Sequence, residues 1–359
     1  MLEFLATVLP VLIFLLAIAL VAEICDRVGV FDVAGHALLR LSGGRVLPLW
    51  IGLVLLCLVT TSVLSLDTTA VLVAPVAIAM AKRARLDPVP FAVTTVWLAN
   101  TGSLLLPVSN LTNLLSYAVD GSPLQGQFAA STWLPALTAS LVTVVAVASF
   151  WPRVLKGRFR MPAAPKPRDT VMLWLAGAVC LALALLFGLG VAPTWPTVAA
   201  AAVLTIAYAK RGRSWRKLRV PWVMALVVLA LFVVVRVLGP LGLDAWLASL
   251  LGDGHGFTDQ LRVAFVGAFG SNLVNNLPAF LAMQPGVDDG TGRAVSLLIG
   301  ANAGSIVTPW GSLATLLWLW RCSASGVKIQ LGPHVLRSGV LAAAVLPASV
   351  GALQLLQLG

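Results

Sequence analysis

The chain is poor in charge. Only 10% of its 359 residues are Asp, Glu, Lys or Arg, against about 25% in a soluble domain. That excludes a cytosolic enzyme and a disordered chain. Cysteine is also scarce: Cys25, Cys57, Cys180 and Cys322 stand far apart with no CxxC pair. This spacing indicates neither a zinc site nor a disulfide framework. HExxH, P-loop and GxSxG motifs are missing from the apolar segments, so an enzyme is not expected and no cofactor is implied. Alternating apolar and polar runs, the mark of a β-barrel, are missing too.

What is present is apolar sequence. Hydrophobic residues make up 59% of the chain and its mean hydropathy is +0.97. The reading is an all-α polytopic membrane protein. Spanning segments are expected near 3–22, 131–151, 170–190, 193–209, 221–238 and 338–357. The N-terminal stretch lacks a basic leader, so it is read as a spanning helix, not a cleaved signal. Stretches at about 91–119 and 294–320 are apolar but interrupted by polar residues, Gly and Pro. Two more, about 47–82 and 260–283, read as pairs of half-length legs around a polar tip. Legs too short for ~30 Å of hydrocarbon suggest re-entrant hairpins.

The net charge of +11 comes from 24 Lys and Arg against 13 Asp and Glu. The bases sit in short clusters between apolar segments, which is a topology signal and not a nucleic-acid patch. Clusters include Arg27, Arg40 and Arg45; Lys82, Arg83 and Arg85; Arg153, Lys156, Arg158, Arg160, Lys166 and Arg168. Others are Lys210, Arg211, Arg213, Arg216, Lys217 and Arg219, and then Arg321, Lys328 and Arg337. With two hairpins returning to their own side, every basic loop falls on the cytoplasmic face of an inner membrane and both termini lie outside.

An internal repeat organises the chain. Residues 99–115, ANTGSLLLPVSNLTNLL, match residues 301–317, ANAGSIVTPWGSLATLL, at eight of 17 positions. A hairpin candidate precedes each copy, SVLSLDTTAVL at 62–72 and SNLVNNLPAFL at 271–281. Opposite placement of the hairpins makes the repeats inverted, a transporter architecture. The first repeat is expected at 1–151, a basic cytoplasmic linker at 152–169, and the second repeat at 170–359.

Polar residues at helix breaks can coordinate a solute where irregular backbone lines protein or a wet cavity. The first half offers Asp67, Thr68, Thr69, Asn100, Ser103, Ser109, Asn110, Thr112 and Asn113. The second offers Asn272, Asn275, Asn276, Asn302, Ser305, Thr308, Ser312 and Thr315. The bland alternative is hydrogen-bonded helix-to-helix packing. Asp67 is the one acid read as deep within an apolar block. It is either a transport group or a cap on the second hairpin leg. Asn110 and Ser312 are expected close together, in one polar cavity with the hairpin tips. His36, His255 and His334 are expected in loops or interfaces, and Cys57 as packing.

Segments 98–124 and 298–320 resemble the signature stretches of the ArsB arsenite-efflux permeases, in the ion transporter superfamily with the divalent-anion:sodium symporters. The string from Thr308 to Leu319, the VSNL-N pattern at Val108 to Asn113, DRVGVFDVAGH at 26–36 and VNNLP at 274–278 carry the resemblance. It implies an elevator-like fold and export of arsenite or antimonite, driven by the proton gradient or by a partner ATPase subunit; a homodimer is compatible with it. Where the family commonly has an Asn-Asp hairpin motif, this chain has Leu66-Asp67. It carries Asn100 and Asn302 where acids are common, and Ile306 where a Lys often stands. The broken helices therefore lose charge, which suits an uncharged solute. A sodium–proton exchanger, with Asp67 and backbone carbonyls holding the ion, is the nearer alternative. A non-transporting receptor or assembly subunit would not need paired hairpins.

Overall fold

The computed structural model describes residues 2–118, 122–159, 169–189, 191–214, 218, 220, 222–238, 241–287 and 290–358. Arg160, Lys166, Arg168, Arg216, Lys217 and Arg219 lie outside the described residues. No β-sheet occurs among the described residues; one isolated bridge joins Arg45 and Arg158.

The chain opens with α1 (Leu2–Val28), α2 (Val30–Leu41) and α3 (Val46–Leu64). A sharp reversal at Ser65 leads into α4 (Leu66–Thr68), a π-helical turn (Thr69–Val73) and α5 (Ala74–Arg83). Then come α6 (Pro88–Thr101), two 3-10 turns, and α7 (Leu111–Ala118). α8 (Phe128–Phe150) and the short α9 (Pro152–Leu155) close the first half. The second half contains α10 (Thr170–Gly188), α11 (Thr194–Lys210), α12 (Trp222–Leu238) and α13 (Leu243–Leu251). α14 (Phe257–Val274) reverses at Asn275 into α15 (Asn276–Met283). α16 (Thr291–Ala303), a 3-10 turn, α17 (Leu313–Ala324) and α18 (Leu331–Leu358) complete the chain.

The first legs of the hairpins differ from expectation. α3 has 19 residues and α14 has 18, so neither is half-length. At 1.5 Å per residue each reaches about 27 Å or more. α3, α8, Thr170–Phe187 of α10, and α18 are long and apolar enough to cross a membrane among the described residues. Half-length applies to α15, which has eight residues. The first reversal, at Ser65, falls at the middle of 47–82, so each leg there has about 18 residues; the second, at Asn275, falls late in 260–283 and leaves only α15 short.

The centre of the molecule is made by α6 and α16. Every residue from Pro90 to Thr101, and from Gly292 to Ala303, is buried. A helix apolar on all sides belongs inside. α16 packs closely on α14, and a Cβ at Gly300 would collide with the backbone carbonyl of Ala264. Trp97 and Trp318 fill the core, their indole N–H groups donating to Ser338 Oγ and the Ala92 carbonyl, both at 2.9 Å. α8 runs beside α18 and exposes Trp133, Leu137, Leu141 and Val145 along one stripe. Such an apolar outer face suits lipid, not water.

Tertiary structure gathers basic residues at one end. Lys82 donates to the Ser325 carbonyl at 2.6 Å, Phe159 N donates to the Gly44 carbonyl, and Arg211 pairs with Asp169 at 2.8 Å. At the opposite end Arg262 and Arg293 give their donors to backbone carbonyls: Leu250 and Ser249 for the first, Gly252, Gly254 and Gly286 for the second.

Candidate functional site

Both inner helices break at the repeat motif, and the breaks match. α6 cannot continue through Pro107, which lacks an N–H and forces Leu106 into extended conformation (φ −128°, ψ 153°). Asn110 (φ −149°, ψ 147°) starts α7, and its repeat mate Ser312 (φ −138°, ψ 139°) starts α17. The hairpin tips match too. Ser65 (φ 98°, ψ 162°) and Asn275 (φ 108°, ψ 150°) share a conformation that is essentially reserved for glycine. Such strain costs roughly 1–3 kcal/mol and clusters at functional sites.

The packing is crossed between halves. The π-helical turn of the first hairpin lies against α17, and α15 of the second lies against α7. Asn276 N donates to the Gly311 carbonyl at 2.9 Å, and Asn275 Nδ2 to the Trp310 carbonyl at 2.9 Å. Gly311 is required there, because a Cβ would strike the Ser305 carbonyl and Asn272 Oδ1. Asn272 also accepts from Thr308 N at 2.8 Å and donates to the Gly304 carbonyl at 2.7 Å.

Asn302 is the hub. Its Oδ1 accepts from Asn110 Nδ2 and Thr112 Oγ1, both at 2.7 Å, and its Nδ2 donates to Asn113 Oδ1 at 2.6 Å. Asn113 in turn donates to the Ser103 and Leu106 carbonyls, closing orphan groups at the break. Asn100, the repeat mate of Asn302, is bound differently. It donates to the Val96 carbonyl at 2.8 Å and accepts from Ser305 Oγ at 3.4 Å. The counterparts of Asn110 and Asn113 are Ser312 and Thr315, and their hydroxyls have no hydrogen-bond partner among the described residues. Neither has the Ser109 hydroxyl, and all three side chains are buried. The amides of Asn110, Asn113 and Asn302 are thus tied to one another across the two repeats, while the hydroxyls of Ser109, Ser312 and Thr315 stay without partners among the described residues.

Thr69 bonds Thr61 at 2.8 Å across the first hairpin, and Thr68 donates to the Leu64 carbonyl at 2.8 Å. Asp67 lies elsewhere. It lines a cavity of about 230 Å³ beside α1, with Glu23, Ser65 and Arg321 among the walls. The cap reading of Asp67 is overturned: the capping atom is Ser65 Oγ, which accepts from Thr68 N at 3.5 Å. Glu23 is paired with Arg27 at 2.6 Å. Arg321 stacks its guanidinium over Trp320 at 4.8 Å, and its Nε is buried without a partner among the described residues. By sequence Arg321 groups with Lys328 and Arg337 near the last connection. The signal available was its helical register with Leu317, which lines the same cavity.

Two further contacts were not visible in the sequence. The absence of a CxxC pattern hid a thiol pair, since Cys25 and Cys180 bring their sulfurs to 3.5 Å across α1 and α10. His334, expected in a loop or interface, is buried within α18 between the rings of Trp97 and Trp318.

Comparison with known proteins places these features in a family. The chain is 28% identical over 352 residues to the arsenical pump membrane protein of Escherichia coli strain K12, covering 91% of this chain and 81% of that one. It is 28% identical over 355 residues to the arsenical pump membrane protein of Yersinia enterocolitica, with the same coverage. The crystal structure of the Alcanivorax borkumensis YdaH transporter, titled as having an unusual topology, superposes with a TM-score of 0.57 at 16% identity. That likeness covers 99% of this chain and 86% of the other, and shows a shared fold. A family model described as citrate transporter matches residues 3–291. The chain therefore belongs to the citrate transporter family of the ion transporter superfamily and is an integral membrane transporter.

Proposed function

We propose that the chain is a secondary active transporter that exports arsenite and antimonite, driven by the proton gradient. One observation carries this reading: the buried site of Asn100, Asn302, Asn110, Asn113, Ser109, Ser312 and Thr315 consists of amides and hydroxyls without a formal charge. Trivalent arsenic near neutral pH is mainly an uncharged trihydroxide, which donates and accepts hydrogen bonds. The free hydroxyls of Ser109, Ser312 and Thr315 would exchange its hydration shell for protein partners. A citrate ion would bring several negative charges to a place with no cation, and buried unpaired charge is costly. The relatives' arsenical pump names agree with the neutral solute.

Proton coupling is assigned to Asp67. Its carboxylate has two ways to shed its charge: a proton, or the Arg321 guanidinium across the same cavity. Exchange of one for the other, as the first hairpin moves along α1, is the proposed coupling step. The matched tips and breaks support two inverted repeats, at 1–151 and 170–359, with re-entrant hairpins and an elevator-type motion. Collection of basic residues at one end supports a cytoplasmic face there, with both termini outside the inner membrane. A gradient-driven cycle needs no ATPase subunit.

The test is arsenite accumulation by everted vesicles carrying the chain, with and without an acid-inside pH gradient. Accumulation that an uncoupler abolishes is expected. Accumulation that persists with uncoupler and demands ATP would sink proton coupling. Sodium-dependent proton movement without arsenite flux would replace the reading by the sodium–proton exchanger.

A further inference from the structure

A second cavity, of about 300 Å³, lies away from the polar break, where the N-terminal ends of α6 and α18 meet the C-terminal end of α8. Its walls include Trp97, Trp151, His334, Lys328, Arg337 and Asp87. The transport reading uses none of these residues. Arg337 is held in place by the Trp151 ring, 4.8 Å from its guanidinium carbon. His334 is 4% exposed, and neither ring nitrogen has a hydrogen-bond partner among the described residues. A buried imidazole without partners loses the hydrogen bonds it would make in water. A ligand oxygen in the cavity would restore one. Asp87 is committed to the end of α6, where its Oδ1 accepts from Val89 N at 3.0 Å.

Charge and size narrow the ligand. Two cations, Lys328 and Arg337, face one carboxylate, Asp87; with a neutral imidazole the walls carry one net positive charge. That balances one negative charge. An arginine fork and a lysine are the usual partners of a tetrahedral oxyanion. The cavity is larger than such an ion needs, and its tryptophan walls suit an attached apolar or polyol body. Its position at the basic end of the helices, beside Trp151, matches the depth of lipid headgroups.

We propose that this pocket binds a phosphate group, presented by the phosphodiester of an anionic lipid headgroup or by free phosphate. Lys328 and Arg337 neutralise it, and His334 bonds one of its oxygens. The net charge of one favours the diester. Binding there ties α8 to the start of α18 and to α6, the helix that carries Asn100. The proposal does not depend on which solute the chain moves.

The experiment uses the full purified chain, delipidated in detergent. Native mass spectrometry measures retention of phosphatidylglycerol against phosphatidylcholine, and thermal unfolding is followed with inorganic phosphate alone. Loss of one cation near a headgroup weakens binding roughly five-fold. K328Q, at an exposed position that tolerates the change, is expected to lose about that much, and K328Q/R337Q roughly thirty-fold, on the same scale. R40Q, exposed at the same end but outside the pocket, is expected to match the parent. Selective phosphatidylglycerol retention lost in the pocket variants assigns the lipid. Stabilisation by inorganic phosphate lost in the same variants assigns the free ion. The proposal is overturned if neither probe separates the pocket variants from the parent, or if R40Q falls as far as they do.

Discussion

Asn110 donates its side-chain amide to Asn302 Oδ1 at 2.7 Å across 192 residues of sequence. The bond joins the break of one inner helix to the last turns of the other. Among the described residues the Asn302 side chain makes three bonds, to Asn110, Thr112 and Asn113 on one partner segment. It therefore holds the start of α7 as a unit against α16.

Asn302→Ala is expected to strand three buried polar groups. Leaving a buried donor or acceptor unmade costs about 1–3 kcal/mol each, before relaxation and water entry. A lower unfolding temperature of the detergent-solubilised protein, together with loss of transport, is the expected result. Unfolding at the parent temperature would show that the network is not a structural tie.

Ser312→Ala and Thr315→Val are expected to behave in the opposite way. Their hydroxyls are buried with no partner among the described residues, so removal should leave stability unchanged or raise it, because an unmade buried group is costly. Arsenite uptake should fall together with affinity. A pair of variants with unchanged uptake would remove these hydroxyls from the solute path.

Asp67→Asn is expected to abolish gradient-driven arsenite efflux and to spare exchange that needs no gradient. Ser65, not Asp67, caps the second hairpin leg, so the variant should fold. Arg321→Gln, which removes the other group able to match the carboxylate charge, should alter the pH dependence of exchange. Full gradient-driven activity in Asp67→Asn would leave the coupling role without support.

Cys25 and Cys180 offer a check on the placement of α1 against α10. Their sulfurs are 3.5 Å apart, close enough for oxidation to join them with little backbone movement. Mild copper–phenanthroline oxidation should produce one intramolecular disulfide, visible by mass spectrometry after proteolysis. The Cys25→Ser variant should show none. Failure of the parent to cross-link under conditions that oxidise exposed thiols would contradict the packing of these two helices.

Much of the helical plan was legible in the residues themselves. Charge is so scarce that long apolar runs had to be helices satisfying their own backbone. Pro107 and Pro309 marked the two breaks, because proline removes a donor and restricts the residue before it. The ANxGS repeat showed that the breaks are related. These are local properties, so sequence alone determined them. Length along the hairpins was less legible: an apolar stretch does not show where its reversal falls, and Ser65 and Asn275 adopt a conformation their residue types do not advertise.

What the tertiary structure decided is which polar groups meet. Repeat symmetry predicts equal roles for Asn100 and Asn302, yet Asn302 bonds three side chains of the opposite segment while Asn100 donates to its own helix and accepts a single long bond from Ser305. Asp67, expected with the asparagines, lines a cavity beside α1 whose walls also include Arg321. Cys25 and Cys180, and His334 with Trp97 and Trp318, are separated by long stretches of chain and touch only after folding. Hydrophobicity specifies that a helix is buried but not which neighbour its few polar atoms address. That choice depends on the rotation and depth of each helix against its partners, and those are set by packing of the whole bundle.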